Sequence, residues 1–257
     1  MLRVAFKHTY FGWNFHGNQY QPHLRTVDGE IFRALRKTGV DPRDGNYKVA
    51  GRTDAGVTAF GNVFAVSMES FEPWIVNAIN ANLPEDIVVW GYAVVDENFN
   101  PRRARSRVYR YIMLDEGFDL DAMREAAELL KGRHDFSGFA KGCKPCIREI
   151  FTSEIEKHGD FLVYTIEGNA FAWNMVRKIV TALKMAGRIA SPEIVERVLD
   201  GHKVPLTPSS PYGLILVDVR YTFEFEVEER ALSLLNKRME ENMMRFAQLY
   251  GIFRFLR

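Results

Sequence analysis

Apolar and polar positions alternate from the start of the chain. Over residues 3–10, Val4, Phe6, His8 and Tyr10 fall on one face, which predicts a strand. From about Thr26 the period becomes helical, with Val27, Ile31, Ala34 and Leu35 as the stripe and Gly39 as the stop. Residues 46–51 and 62–68 read as short strands. Pro73 opens a helix carrying Trp74, Ile75, Ala78 and Ile79, and the apolar run 87–95 suits a buried strand. The first hundred residues therefore read β-α-β-β-α-β.

The same order returns in the second half. Residues 108–114 predict a strand, 121–130 a helix stopped by Gly132, and 148–157 with 161–168 a hairpin around His158-Gly159-Asp160. A helix over 175–186 turns Val176, Ile179, Val180 and Leu183 inward and ends at Gly187. Ser191-Pro192 starts a short helix, and 214–223 closes as a strand. Two such halves predict an α+β fold of two ferredoxin-like units. They would join into one large, mostly antiparallel sheet flanked by helices, with a cleft between the halves. The expected division is 1–100 and 101–257, a repeat of order rather than of sequence. The tail over 228–250 is amphipathic, with Leu232, Leu235, Met239, Met243, Phe246 and Leu249 at helical spacing. Packing against the sheet is the first reading of that stripe; contact between two copies, giving a homodimer, is the second.

Composition narrows the class. The chain has 257 residues, 47% hydrophobic and 26% charged, which is the range of a soluble globular protein. No apolar run approaches the ~20 residues of a membrane span, so no membrane association is expected. The first residues run straight into strand alternation, so no signal peptide is expected and the cytoplasm is the expected compartment. A net charge of +1 exerts no general pull on nucleic acid. Its distribution does: Arg102, Arg103, Arg105, Arg107 and Arg110 fall close together with no acid among them, which suits phosphate contacts, a solvated face being the alternative. Cys143 and Cys146 are the only cysteines, and a single C-x-x-C with no second pair reads as two free thiols in a loop. No phosphate-cradling glycine loop, dinucleotide fingerprint or metal cluster stands out, so neither cofactor nor metal is expected.

The chemistry concentrates in Gly51-Arg52-Thr53-Asp54-Ala55-Gly56-Val57. One carboxylate sits between small residues, open to a large substrate, with glycines that permit a tight or positive-φ backbone. Arg52 or another cation nearby would keep Asp54 ionised and oriented, as a nucleophile requires. An Asp in a turn, bonding its own backbone, is the plain alternative.

That stretch resembles the catalytic signature of the tRNA pseudouridine synthase A family, G-R-T-D-A-G-V followed usually by His. The resemblance covers nearly the whole chain. Residues 10–21, with Gln19 and Gln21, are similar to the family's Y-x-G-x-x-F-x-G-x-Q-x-Q. Residues 99–111 are similar to F-x-A-R…R-x-Y-x-Y, Gly168 to Arg177 to G-x-x-F…M-V-R, 134–139 to H-D-F-x-x-F, and 211–214 to P-x-G-L. The resemblance implies an isomerase that converts uridine to pseudouridine at positions 38 to 40 in the anticodon stem-loop of tRNA, with Asp54 as nucleophile. It further implies Arg177 as partner of Asp54, Tyr109 stacked on the target uracil, Leu214 as a wall of the base pocket, and tRNA as the binding partner. Arg52, Gln19, Gln21, Arg102, Arg105 and Arg110 complete the expected substrate contacts. Two departures stand out: Thr58 where the family usually has His, and Trp173-Asn174 where bacterial members often carry histidines. Both fit a divergent, archaeal-type branch. Glycoside cleavage would need a second acid in a comparable motif, which is not found, and a non-catalytic RNA-binding protein would not need Asp54 and Arg177 together.

Overall fold

In the computed structural model, which describes residues 1–256, strand β1 (Leu2–Tyr10) is buried along nearly its whole length. Its alternating pattern marks no solvent face, because residues on both of its faces are buried. It pairs antiparallel with β4 (Ile87–Val95), from Arg3 opposite Val95 to Tyr10 opposite Ile87, and lies beside β3 (Thr58–Met68) on its other edge. A short β2 (Lys48–Val49) pairs antiparallel with β3. The order β4-β1-β3-β2 is that of a ferredoxin-like unit. Its two helices are α1 (Val27–Lys37) and α2 (Trp74–Asn80). Thr26 caps α1, its side chain accepting from the Gly29 amide.

The second unit repeats that order. Strand β5 (Ser106–Leu114) lies between β9 (Leu214–Arg220) and β8 (Phe161–Gly168), and β8 forms a hairpin with β7 (Ile147–His158). A strand absent from the sequence reading, β6 (Gly132–Asp135), extends the edge beyond β7. The first residues of β3 run parallel to β9, Thr58 opposite Ile215. The helices are α3 (Leu120–Glu128), α4 (Met175–Ile189) and α5 (Glu193–Leu199). The architecture is thus mixed α+β, with mostly antiparallel sheet flanked by helices.

Two boundaries and the state of the cysteines differ from the sequence reading. Gly187 does not end α4, which continues to Ile189. A Cβ at Gly187 would lie 2.7 Å from Met123 Cγ and 2.9 Å from Phe118 Cβ, so the glycine is there for close packing against α3 rather than to break the helix. The strand expected over 214–223 stops at Arg220, and a separate two-residue strand, β10 (Glu226–Val227), adds to β4. Cys143 and Cys146, read as free thiols, are bonded as a disulfide. The turn between them brings their Cα atoms to 5.1 Å, within the span of such a bridge.

The chain packs as two units that also differ from the expected split at residue 100. One comprises 1–53, 61–102 and 223–257; the other comprises 54–60 and 103–222. The helix α6 (Glu229–Phe255) belongs with the first unit, where it packs on β4 and α2. Of its apolar stripe only Ala231 and Leu235 are buried; Met239, Met243, Phe246 and Leu249 are exposed. Packing on the sheet therefore accounts for the start of the stripe alone.

Two buried ionisable groups in the first unit tie its stability to pH. His8 is fully buried between Tyr10 and Phe64, with neither ring nitrogen hydrogen-bonded among the described residues. Burial pushes its pKa from 6.5 down to about 3, the backbone of Asn62 and Phe6 offsetting this only in part. The unfolded chain therefore takes up a proton that the folded chain refuses, and stability falls as pH drops from 6.5 towards 3. Asp28 opposes this. Burial raises it from 3.8 to about 6, against hydrogen bonds from Tyr47 and Asn18, so between those values its contribution rises as pH falls. Replacing His8 with Phe should stabilise the protein relative to wild type by about 2–3 kcal/mol more at pH 4.5 than at pH 7 in urea unfolding. An equal difference at both pH values would rule out a proton-refusing His8.

Candidate active site

Asp54 opens a turn closed by a hydrogen bond from the Val57 amide to its carbonyl, 3.2 Å. Gly56 within that turn has φ +84°, and a Cβ there would meet Pro211 Cγ and Tyr212 Cε1 at 3.1 Å. A side chain at this position would be strained by its backbone and would crowd Pro211 and Tyr212, so the turn favours the G in D-A-G. The turn leaves the Asp54 carboxylate 32% exposed.

The cation that meets it is Arg177, whose Nη1 lies 2.8 Å from Asp54 Oδ2. Arg52, the other candidate, is exposed and interacts electrostatically with Asp28. Arg177 stands in the first turn of α4, beside the buried stripe of Met175, Val176, Ile179 and Val180. A guanidinium held there needs partners for its donors. Nε donates to the Ser209 carbonyl at 2.6 Å, and Nη1 also reaches Asn174 Oδ1 at 3.2 Å. Thr181, one turn on, fixes the same segment by donating to the Thr207 carbonyl at 2.6 Å. The arginine is thus oriented from several sides before any substrate arrives.

Two residues noted only as departures complete the group. Asn174 adopts a left-handed conformation, φ +63°, at the head of α4, a conformation that asparagine tolerates better than most residues. Trp173 beside it donates its indole N–H to Asp54 Oδ1 at 3.2 Å. Their position next to M-V-R was the only signal in the sequence; their contact with Asp54 and Arg177 was not legible there.

Tyr109 is half-buried on β5, with Phe171 edge-on at 5.2 Å between ring centroids. Burial pushes its phenol up to about 12; the Arg107 guanidinium opposes the shift and the Asp54 carboxylate reinforces it. Tyr109 therefore presents a neutral ring that feels the Asp54 charge. Leu214 begins β9 opposite Tyr111 and is buried in the core of the second unit.

Arg105 and Arg110 are exposed, and Arg110 alternates to the face of β5 opposite Tyr109. Arg102, Gln19 and Gln21 belong to the first unit and are exposed, Gln21 donating to the His16 carbonyl. The H-D-F loop is structural: Asp135 Oδ1 accepts from the Ser137 and Cys146 amides. Among the described residues no cluster of three or more His, Cys, Asp or Glu could hold a metal ion, and no helix is long and apolar enough to cross a membrane.

Comparison with known proteins adds a family. A family profile described as tRNA pseudouridine synthase matches residues 126–222. Proteins named tRNA pseudouridine synthase A are similar over nearly the full length of both chains. That of Archaeoglobus fulgidus is 45% identical over 100% of this chain and 98% of its own. That of Methanococcoides burtonii is 40% identical over 99% and 96%. That of Pyrococcus abyssi is 40% identical over 93% of each. Among solved structures, a chain of the archaeal box H/ACA sRNP Nop10-Cbf5 complex matches 70% of this chain and 44% of its own at 13% identity, with a TM-score of 0.38. Full-length identity at this level shows that the chain belongs to the tRNA pseudouridine synthase A family, whose members are isomerases.

Proposed function

We propose that this chain converts uridine to pseudouridine in the anticodon stem-loop of tRNA, at positions 38 to 40, with Asp54 as nucleophile. The observation that carries the reading is the Asp54–Arg177 ion pair, in which a partly exposed carboxylate is oriented by an arginine anchored to Ser209 and Asn174. The names of the full-length relatives support tRNA as substrate. A tRNA substrate also suits the cytoplasm.

Asp54 attacks either ribose C1′ or uracil C6. The N1–C1′ bond breaks, the uracil turns, C5 bonds to C1′, the bond to Asp54 breaks and returns the free carboxylate, and the C5 proton is lost as N1 gains one. Atoms and electrons balance without an external reactant. A target base leaves its stack to reach Asp54, and the neutral ring of Tyr109, held by Phe171, offers a surface to replace that contact. The exposed Arg102 and Arg105 suit phosphate contacts. The exposed second half of α6, with Met243 66% and Phe253 69% accessible, suits a second copy of the chain as its cover.

Asp54→Asn keeps size and hydrogen bonding but removes the nucleophile. Single-turnover pseudouridine formation should vanish while equilibrium tRNA binding and its salt dependence stay as in wild type. Arg177→Ala should reproduce part of that loss. Substantial isomerisation by Asp54→Asn would end this mechanism. At Tyr109, a stacking role predicts that Tyr109→Phe keeps most of the rate while Tyr109→Leu loses about tenfold to a hundredfold. Equal, near-normal rates for the two variants would remove Tyr109 from the site. In sedimentation, the wild type should run as a dimer and the double variant Met243→Glu, Phe253→Glu as a monomer; a monomeric wild type overturns the pairing.

A further inference from the structure

We propose that Trp173 is a positioning residue for the candidate nucleophile, its indole N–H fixing the orientation of the Asp54 carboxylate; this rests on the reading of Asp54 given above. The torsion that turns a carboxylate about its own axis is soft and broad. One ion pair to Oδ2, from Arg177, leaves that rotation open. A second donor on the other oxygen closes it, and Trp173 Nε1 sits 3.2 Å from Oδ1. The two donors approach from opposite ends of the Asn174 link, one just before α4 and one in its first turn.

Trp173 is not placed there by packing. Its side chain is 56% exposed, a large apolar surface that no core requires. It is nonetheless held. Lys141 Nζ lies over the ring, 4.4 Å from its centroid, and the Lys141 amide donates to the Trp173 carbonyl at 3.1 Å. The left-handed Asn174 then turns the chain into the helix immediately after it. An exposed ring clamped by a cation on one face, with its only polar atom on the nucleophile, is an arrangement for aiming rather than for stability. Stacking on RNA is the competing role for the same ring, and the two predict different results.

The test replaces the donor without replacing the ring. Trp173→Phe removes the N–H and part of the surface. Benzothienylalanine at position 173, which has sulfur where indole has N–H, removes the N–H alone and keeps the shape. Both should slow single-turnover pseudouridine formation by about tenfold, the scale of one hydrogen bond to a charged group. Equilibrium tRNA affinity and the thermal midpoint should not move. A benzothienylalanine protein with wild-type rate overturns the proposal, and weakened tRNA binding by Trp173→Phe beside it would assign the ring to stacking instead. Asp54→Asn is measured in parallel. If it still isomerises uridine, the reading of Asp54 itself falls; if it is inactive while the benzothienylalanine protein is fully active, only the role of Trp173 falls.

Discussion

The ion pair between Arg177 and Asp54 joins a turn and a helix 123 residues apart in sequence. A guanidinium at the edge of an apolar core is costly to desolvate unless its donors are met, and here they are met from three directions. Asp54, Asn174 and Ser209 each supply an oxygen. Removing the carboxylate takes away one of those three oxygens, and removing the arginine takes one support from each of the turn, the head of α4 and the 209 segment. One group therefore links the carboxylate, the head of α4 and the 209 segment. The pair sits at the head of α4, where the helix dipole reinforces the cation's attraction for an anion.

The residues leading into Asp54 depend on a different kind of interaction. Asn62 is fully buried in the first unit, and its side chain replaces backbone pairing around Gly51. Its Oδ1 accepts from the Gly51 and Val63 amides, and its Nδ2 donates to the Gly51 carbonyl at 2.9 Å and to Asn18 Oδ1 at 3.2 Å. Asn18 in turn donates to Asp28, which also accepts from Tyr47. Thr53 is held by Tyr10 through its hydroxyl and by the Asn18 amide through its carbonyl. A network in which each of these members has a partner is rigid because any one loss strands a buried polar group. It explains how a glycine-containing loop, free to adopt many conformations on its own, adopts one.

The long C-terminal helix shows the limit of reading amphipathicity as packing. A stripe at helical spacing states only that something apolar is to cover it. In α6 the first turns meet β4 and α2, and Trp13 packs edge-on against Phe246 at 4.8 Å, but most of the stripe beyond Leu235 stays exposed. Arg238 reaches Glu85 and Glu241, tying the middle of the helix to the loop before β4.

Short-range physics is written in the sequence, and that part was legible. The two β-α-β-β-α-β orders, the helix beginning near Thr26, the strands of the second hairpin and the glycine-bearing turn at Asp54 follow from spacing and backbone preference within a few residues. The motif match reached further and paired Arg177 with Asp54 by family resemblance. Tertiary structure decided the rest. Two-residue strands such as β10 carry too little pattern to stand out, and Gly187 looked like a stop because a helix–helix contact is invisible to local propensity. Arg52, the cation nearest in sequence, is exposed and interacts with Asp28, while Arg177 meets the carboxylate. Arg110 was grouped with its neighbours by sequence and separated from Tyr109 by the alternation of one strand. Trp173, 119 residues from Asp54, became its second donor only because the left-handed turn at Asn174 and the clamp of Lys141 aim its ring. Contacts at such separations are fixed by the packing of whole elements, and no local pattern encodes them.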